Sequence, residues 1–231
     1  MKDPLGNVTT YTSDIIGRTV SVTDALGNIS QTIYATNGLV EKSIDPLGKV
    51  TTYTYDNVGR RVGIENALGF VSSTGYDAVS QVVSTTDALG NLTRYSYDNV
   101  GRQTAVQNAL GHRSTTSYDA NGRVVTTINA LNQVNTFTYN AVNAQLTAED
   151  ALGRVSETVY STDSNRVHAT VDPVGNRTTF TYNSAGEQIA VRDARNNLST
   201  TSYDLAGRVS TTMNALGAIA TYAYDAAGRN T

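Results

Sequence analysis

The sequence predicts an all-β protein built as an array of antiparallel β-hairpins. Three observations carry the prediction: a 21-residue ruler, two turn signatures in every unit, and strand-forming residues between them. A repeat of this length means a structure that grows by units and not by domains.

The ruler is set by a [DN]-[AP]-L-G element that begins at Asp3, Asp24, Asp45, Asn66, Asp87, Asn108, Asp150 and Asn214. Degenerate copies begin at Asn129, Asp172 and Asp193, and the spacing is 21 residues except for 22 between Asp150 and Asp172, where one residue is inserted near 161–165. Residues 1–231 therefore read as a single array of eleven repeats, and as a fragment of a longer chain, because the sequence begins and ends inside the pattern.

Each unit carries two turns of the form D-x-x-G, such as Asp45-Pro46-Leu47-Gly48 and Asp56-Asn57-Val58-Gly59. Asp suits the first position of a type I turn, Pro the second, and Gly the left-handed position that follows. Gly6, Gly17, Gly48, Gly59, Gly101, Gly122 and Gly207 stand in these slots, and of nineteen glycines only Gly63 and Gly75 do not. A type I turn closed by a left-handed Gly joins two strands with a bulge, so backbone geometry explains the glycines without a phosphate-binding loop.

The segments between turns, Lys49–Tyr55 and Arg60–Glu65 for example, are rich in Thr, Val, Tyr and Ile. That set favours a pleated, half-buried surface. No window sustains a 3.6-residue apolar period, so no helix is expected. The tyrosines occupy two slots on one sheet face. The later slot holds Tyr34, Tyr55, Tyr76, Tyr97, Tyr118, Tyr139, Tyr160, Tyr182, Tyr203 and Tyr224. The earlier alternates between an aromatic ring (Tyr11, Tyr53, Tyr95, Phe137, Phe180, Tyr222) and threonine (Thr32, Thr74, Thr116, Thr158, Thr201), so the true period is a pair of hairpins. Twenty-two strands exceed what a twisted open sheet carries without curling. The array is therefore expected to coil into a spiral sheet, a shell segment or a solenoid, with sheet edges that pair with further repeats or another copy.

Composition narrows the function. A net charge of -3 with no basic run argues against nucleic acid. The absence of cysteine removes disulfides and thiolate metal sites, and no apolar run reaches the roughly 20 residues of a membrane helix. No cofactor is expected. His112 and His168 lie in different repeats without zinc-site spacing. Turn Asp and Asn recur without a calcium-loop motif. The N-x-[ST] sequons at Asn7, Asn28, Asn91, Asn176 and Asn197 arise from fixed slots of the repeat.

Units such as Tyr55-Asp56-Asn57-Val58-Gly59-Arg60, Tyr97-Asp98-Asn99-Val100-Gly101-Arg102 and Tyr203-Asp204-Leu205-Ala206-Gly207-Arg208, each followed by [DN]-[AP]-L-G, resemble the YD repeat of the Rhs family. That family includes bacterial Rhs and wall-associated proteins, Tc toxin shell subunits and teneurins. The resemblance implies strands spiralling into a hollow shell that encloses a toxin, and an extracellular or cell-surface location, although no signal peptide precedes the repeats here. Toxin-shell relatives carry a self-cleaving core with a motif resembling D-P-x-G-x18-D-P-x-G, a spacing that Asp150 and Asp172 reproduce without the first proline. These two are the weak catalytic candidates, and their turn role is the preferred reading. The leading expectation is a non-catalytic structural module. The second is a self-associating fibre or adhesin whose Tyr and Thr rows bind surface carbohydrate, and the third is an autoproteolytic core.

Overall fold

The computed structural model describes residues 1–4 and 6–231, and every regular element among them is a β-strand. The chain divides into two units, Met1–Thr115 and Thr116–Thr231. The first holds β1 (Thr10–Ser13), β2 (Thr19–Thr23), β3 (Ile29–Tyr34), β4 (Val40–Ile44), β5 (Val50–Tyr55), β6 (Arg61–Glu65), β7 (Val71–Tyr76), β8 (Val82–Thr86), β9 (Leu92–Tyr97) and β10 (Gln103–Gln107). β11 (Arg113–Tyr118) starts in the first unit and ends in the second. The second continues with β12 (Val124–Ile128), β13 (Val134–Tyr139), β14 (Gln145–Glu149), β15 (Val155–Tyr160), β16 (Val167–Val171), β17 (Arg177–Tyr182), β18 (Gln188–Arg192), β19 (Leu198–Tyr203), β20 (Val209–Met213) and β21 (Ile219–Thr221). The twenty-second strand expected from the repeat count is reduced to a bridge between Tyr224 and Asn230.

Strands adjacent in sequence pair antiparallel, from β1 with β2 through β10 with β11 in the first unit and from β12 with β13 through β20 with β21 in the second. The turns do what their residues demand. Gly48 N donates to the Asp45 carbonyl at 2.9 Å and Asp45 N to the Lys49 carbonyl at 3.0 Å, with Gly48 at φ +76. Where Gly is missing from the closing slot, Asn132, Asn143 and Asn196 take φ of 60, 68 and 70 and Ser80 takes 69, three of the four being the side chain that best tolerates this region. The inserted residue widens one turn, so that Ser161 N reaches the Arg166 carbonyl at 2.8 Å.

Two kinds of strand junction alternate. Within a hairpin such as β5–β6, Thr54 faces Gly63 and Tyr55 faces Arg61, which leaves Val62 unpaired in a bulge. Between hairpins, as at β6–β7, the ladder runs only from Glu65↔Val71 to Gly63↔Ser73 and then opens. The two glycines outside turns sit on this grid. A Cβ on Gly63 would overlap the hydroxyl of Thr54 across the hairpin, and one on Gly75 that of Ser84.

The face that carries the tyrosines is half-buried, and only Ala105 and Ala169 among the described hydrophobic residues are buried. Stability thus comes from strand pairing and side-chain contacts between neighbouring hairpins, since a sheet of this kind has no enclosed core. The aromatic alternation belongs to the same economy. The Tyr53 hydroxyl lies 3.1 Å from that of Ser43, and the Tyr95 hydroxyl 3.3 Å from Thr85, each on the preceding hairpin. In that hairpin the earlier slot pairs Thr32 with Ser43 and Thr74 with Thr85. A large ring therefore lies beside a hairpin whose own slot is small.

Candidate functional site: the Asp–Arg–Tyr rim

The Y-D-x-x-G-R turns all fall on one rim of each unit, because turns alternate sides in a serial antiparallel sheet. Asp56 shows their construction. Its Oδ1 accepts from the backbone N of Val58 and of Arg60, both at 3.0 Å, and its Oδ2 accepts from Arg60 Nε at 2.6 Å. Partial burial works against the charged form, but the Arg60 hydrogen bond and the turn amides outweigh it and hold the carboxyl below the usual aspartate range.

Arg60 then leaves its own hairpin. Its Nη1 donates at 2.9 Å both to the Asp77 carbonyl and to the Ser80 hydroxyl of the next turn, and its guanidinium lies over the Tyr76 ring. The Tyr76 hydroxyl returns the contact by donating to the Arg61 carbonyl at 3.3 Å. Arg123 repeats the set: Nε to Asp119 at 2.7 Å, Nη1 to the Asn140 carbonyl at 2.9 Å, and the guanidinium over Tyr139. The Tyr139 hydroxyl donates to the Val124 carbonyl at 2.7 Å. Tyr34, Tyr97, Tyr160, Tyr182, Tyr203 and Tyr224 donate to the carbonyl fifteen residues upstream in the same way. Each hydroxyl meets the stretch where the ladder between hairpins has opened. Side chains thereby replace the missing backbone bonds.

The two aspartates singled out by spacing sit on the opposite rim of the second unit. Asp150 accepts from Arg154 Nε at 2.6 Å and from the amides of Leu152 and Arg154. Asp172 accepts from Asn176 Nδ2 at 2.7 Å and from the amides of Val174 and Asn176. Arg154 and Asn176, respectively, are the largest influence in pulling the two carboxyls below the ordinary value. Two strands, or roughly 10 Å at ordinary strand spacing, separate their turns. His112 and His168 are exposed, and among the described residues no three acidic or histidine side chains gather where a metal could sit.

The sheet face carries shallow notches where threonine takes the aromatic slot. One of about 510 Å³ is lined by Asp14, Arg18, Gln31, Thr32 and Tyr34, and one of about 190 Å³ by Arg61, Ser72, Thr74 and Tyr76.

The sequence showed the Asp-to-Arg spacing, and pairing of that Arg with acids or turn carbonyls follows from it. It did not show the cross-hairpin stacking or the tyrosine hydroxyl's partner. The signal was present as the unvarying interval between Tyr and the residue after the preceding turn's Arg.

Parts of the chain are similar to known proteins. The RHS Repeat family matches residues 34–71, 76–113 and 203–229. No curated protein matches the chain. Among solved structures, TcdB2-TccC3 without its hypervariable C-terminal region is similar at 15% identity, over 97% of this chain and 18% of that one, with a TM-score of 0.42. The Photorhabdus luminescens Tc holotoxin pore is similar at 13% identity, over 97% of this chain and 21% of that one, with a TM-score of 0.36. A porin-like protein from Bacteroides uniformis is similar at 15% identity, over 97% and 86% of the two chains, with a TM-score of 0.21. The chain thus spans about a fifth of the length of the toxin-complex chains it resembles. The RHS Repeat family is thus matched over three stretches of the chain, and the same 21-residue ruler runs through the residues between them.

Proposed function

We propose that this array is a non-catalytic segment of the wall of a larger secreted or surface-displayed RHS-repeat protein, one that encloses a toxin. The carrying observation is where the reactive groups are spent. Turn carboxylates, guanidinium groups and tyrosine hydroxyls bond to their own turn or to a neighbouring hairpin, as Asp56, Arg60 and Tyr76 do. A wall needs that economy, and a catalytic site needs groups held free with shifted acidity. Further repeats are the partners this reading requires, with the toxin as cargo.

Electron microscopy of the purified chain tests it. Curved sheets or partial shells support the wall, whereas straight filaments support the fibre. Mass spectrometry during prolonged incubation tests the absence of self-cleavage: the chain should stay intact. A fragment cut beside Asp172 that disappears in Asp172→Asn would overturn the reading.

The second reading is an adhesin that binds carbohydrate. The notches favour it, since Tyr34 beside Thr32, Gln31 and Arg18 combines a ring with hydrogen-bonding groups. Binding on a glycan array, lost in Thr32→Val, would establish it.

A further inference from the structure

The widened turn of the second unit breaks the Y-D-x-x-G-R pattern. Ser161 stands in the aspartate slot, while Arg166 keeps the arginine slot. Elsewhere in the chain an arginine in this slot is ion-paired with its turn aspartate, as at Arg18, Arg60, Arg102, Arg123, Arg208 and Arg229. In such a turn the aspartate Oδ1 accepts from the arginine amide and Oδ2 receives the guanidinium. The Ser161 hydroxyl takes over the first task, accepting from Arg166 N at 3.3 Å. Nothing takes over the second. Among the described residues the Arg166 guanidinium has no ion pair and no hydrogen bond. It is held instead 5.9 Å from the centroid of the Tyr182 ring and against Gly186, where a Cβ would strike it.

A second departure lies beside the first. The residue left unpaired in the hairpin bulge is commonly apolar, as at Val20, Val62, Val83, Leu146 and Ile189, but in β16 it is His168. Arg166 and His168 open on one notch of about 260 Å³, together with Asp163, Ser164, Phe180 and Tyr182.

We propose that this notch binds an acidic sugar, a hexuronate residue of a glycan, whose carboxylate takes the place of the missing Oδ2 opposite Arg166. A guanidinium and a carboxylate meet through two parallel hydrogen bonds. The rings of Phe180 and Tyr182 supply the apolar wall that a pyranose needs, and His168 and Ser164 supply hydrogen-bonding groups. Asp163 disfavours a bare anion. Its own backbone amide and the Ser161 hydroxyl hold its carboxyl below the ordinary value and therefore charged, so guanidinium and carboxylate share the notch. Sugar hydroxyls can donate to that carboxylate, whereas phosphate is repelled by it. An extended acidic peptide has no ladder to join, because β16 is already paired on both sides. The inference stands apart from the enclosed toxin and from the notch beside Thr32, which lies in the first unit.

Titration of the full chain with sodium D-glucuronate, followed by nuclear magnetic resonance, tests it. The ring protons of Phe180 and Tyr182 should shift and saturate. The methyl ester of the sugar, which lacks the charge, should bind about tenfold more weakly or worse. Arg166→Gln should weaken binding to the same degree and leave the unfolding midpoint unchanged, since the guanidinium bonds to nothing in the native fold. His168→Val, which restores the residue type of the other bulges, should weaken binding as well. Ser161→Asp supplies the missing carboxylate from within the turn and should abolish binding, while Thr32→Val should leave it intact.

The absence of saturable shifts would overturn the inference. So would equal binding of the methyl ester, of inorganic phosphate or of the peptide Gly-Asp-Gly, or binding that survives unaltered in Arg166→Gln or in Ser161→Asp.

Discussion

Arg60 lies over the ring of Tyr76, with the guanidinium carbon 4.7 Å from the ring centroid, although sixteen residues separate them and no backbone ladder joins their ends of β6 and β7. The same relation holds between Arg18 and Tyr34 at 4.3 Å and between Arg208 and Tyr224 at 4.6 Å. Cation–π contact and the tyrosine hydroxyl together fasten hairpins that backbone bonds alone leave half open.

Removing one hydroxyl should therefore weaken one junction. Tyr97→Phe deletes the 2.8 Å bond to the Val82 carbonyl and should cost about 1 kcal/mol. The denaturant midpoint reads the loss, with the slope of the transition unchanged.

Arginines on the two rims should differ. Arg123 touches Asp119, the Asn140 carbonyl, Asn143 and the Tyr139 ring. For Arg154 the bonded partner is Asp150 of its own turn, and its side chain is 60% exposed. Arg123→Ala should lower the thermal midpoint clearly, and Arg154→Ala should lower it little. Equal losses would contradict a cross-hairpin role for the first.

Gly48 separates backbone strain from crowding, because nothing lies within 4 Å of the position its Cβ would take. Gly48→Val should cost roughly 1–2 kcal/mol, the penalty for an L-residue in the left-handed region. Gly48→Asn should cost less, as Asn132 already occupies the equivalent slot at φ 60. Equilibrium unfolding of both variants checks the order.

Acid should loosen the array. Asp24, Asp87 and Asp193 are drawn below the ordinary value chiefly by the amides of Asn28, Asn91 and Asn197, and Asp204 chiefly by Arg208. Carboxyls with a lower pKa folded than unfolded stabilise fully above the unfolded value, about 3.9. That contribution fades as pH falls through the folded values. The thermal midpoint should hold from neutrality to just above that pH and then drop. Asp24→Asn should make the drop shallower.

The turns were legible because one residue decides each. Asp at Asp45 and Gly at Gly48 announce a backbone shape that few other residues support, so the strands between turns followed. The alternation at Tyr53 and Thr74 was legible as a pattern, but its cause was not. It depends on a ring crossing to Ser43 on a neighbouring strand, which requires the register to be known. The bond from Tyr76 to the Arg61 carbonyl was hidden for a related reason. It exists where pairing stops, and hydrophobic periodicity reports where pairing occurs. The spacing of Asp150 and Asp172 comes from a one-residue insertion, and where each carboxylate bonds, within its own turn, was visible only in the structure.

Serial pairing within each unit has a consequence for how the molecule comes into being. Because each strand is hydrogen-bonded to the strands beside it in sequence, a hairpin can lock onto its predecessor as soon as it leaves the ribosome, without waiting for any distant partner. Contacts this local make for fast assembly. They also mean that a further 42-residue block would meet its neighbours through junctions of the two kinds already present, so synthesis and folding can run in the same direction along the chain.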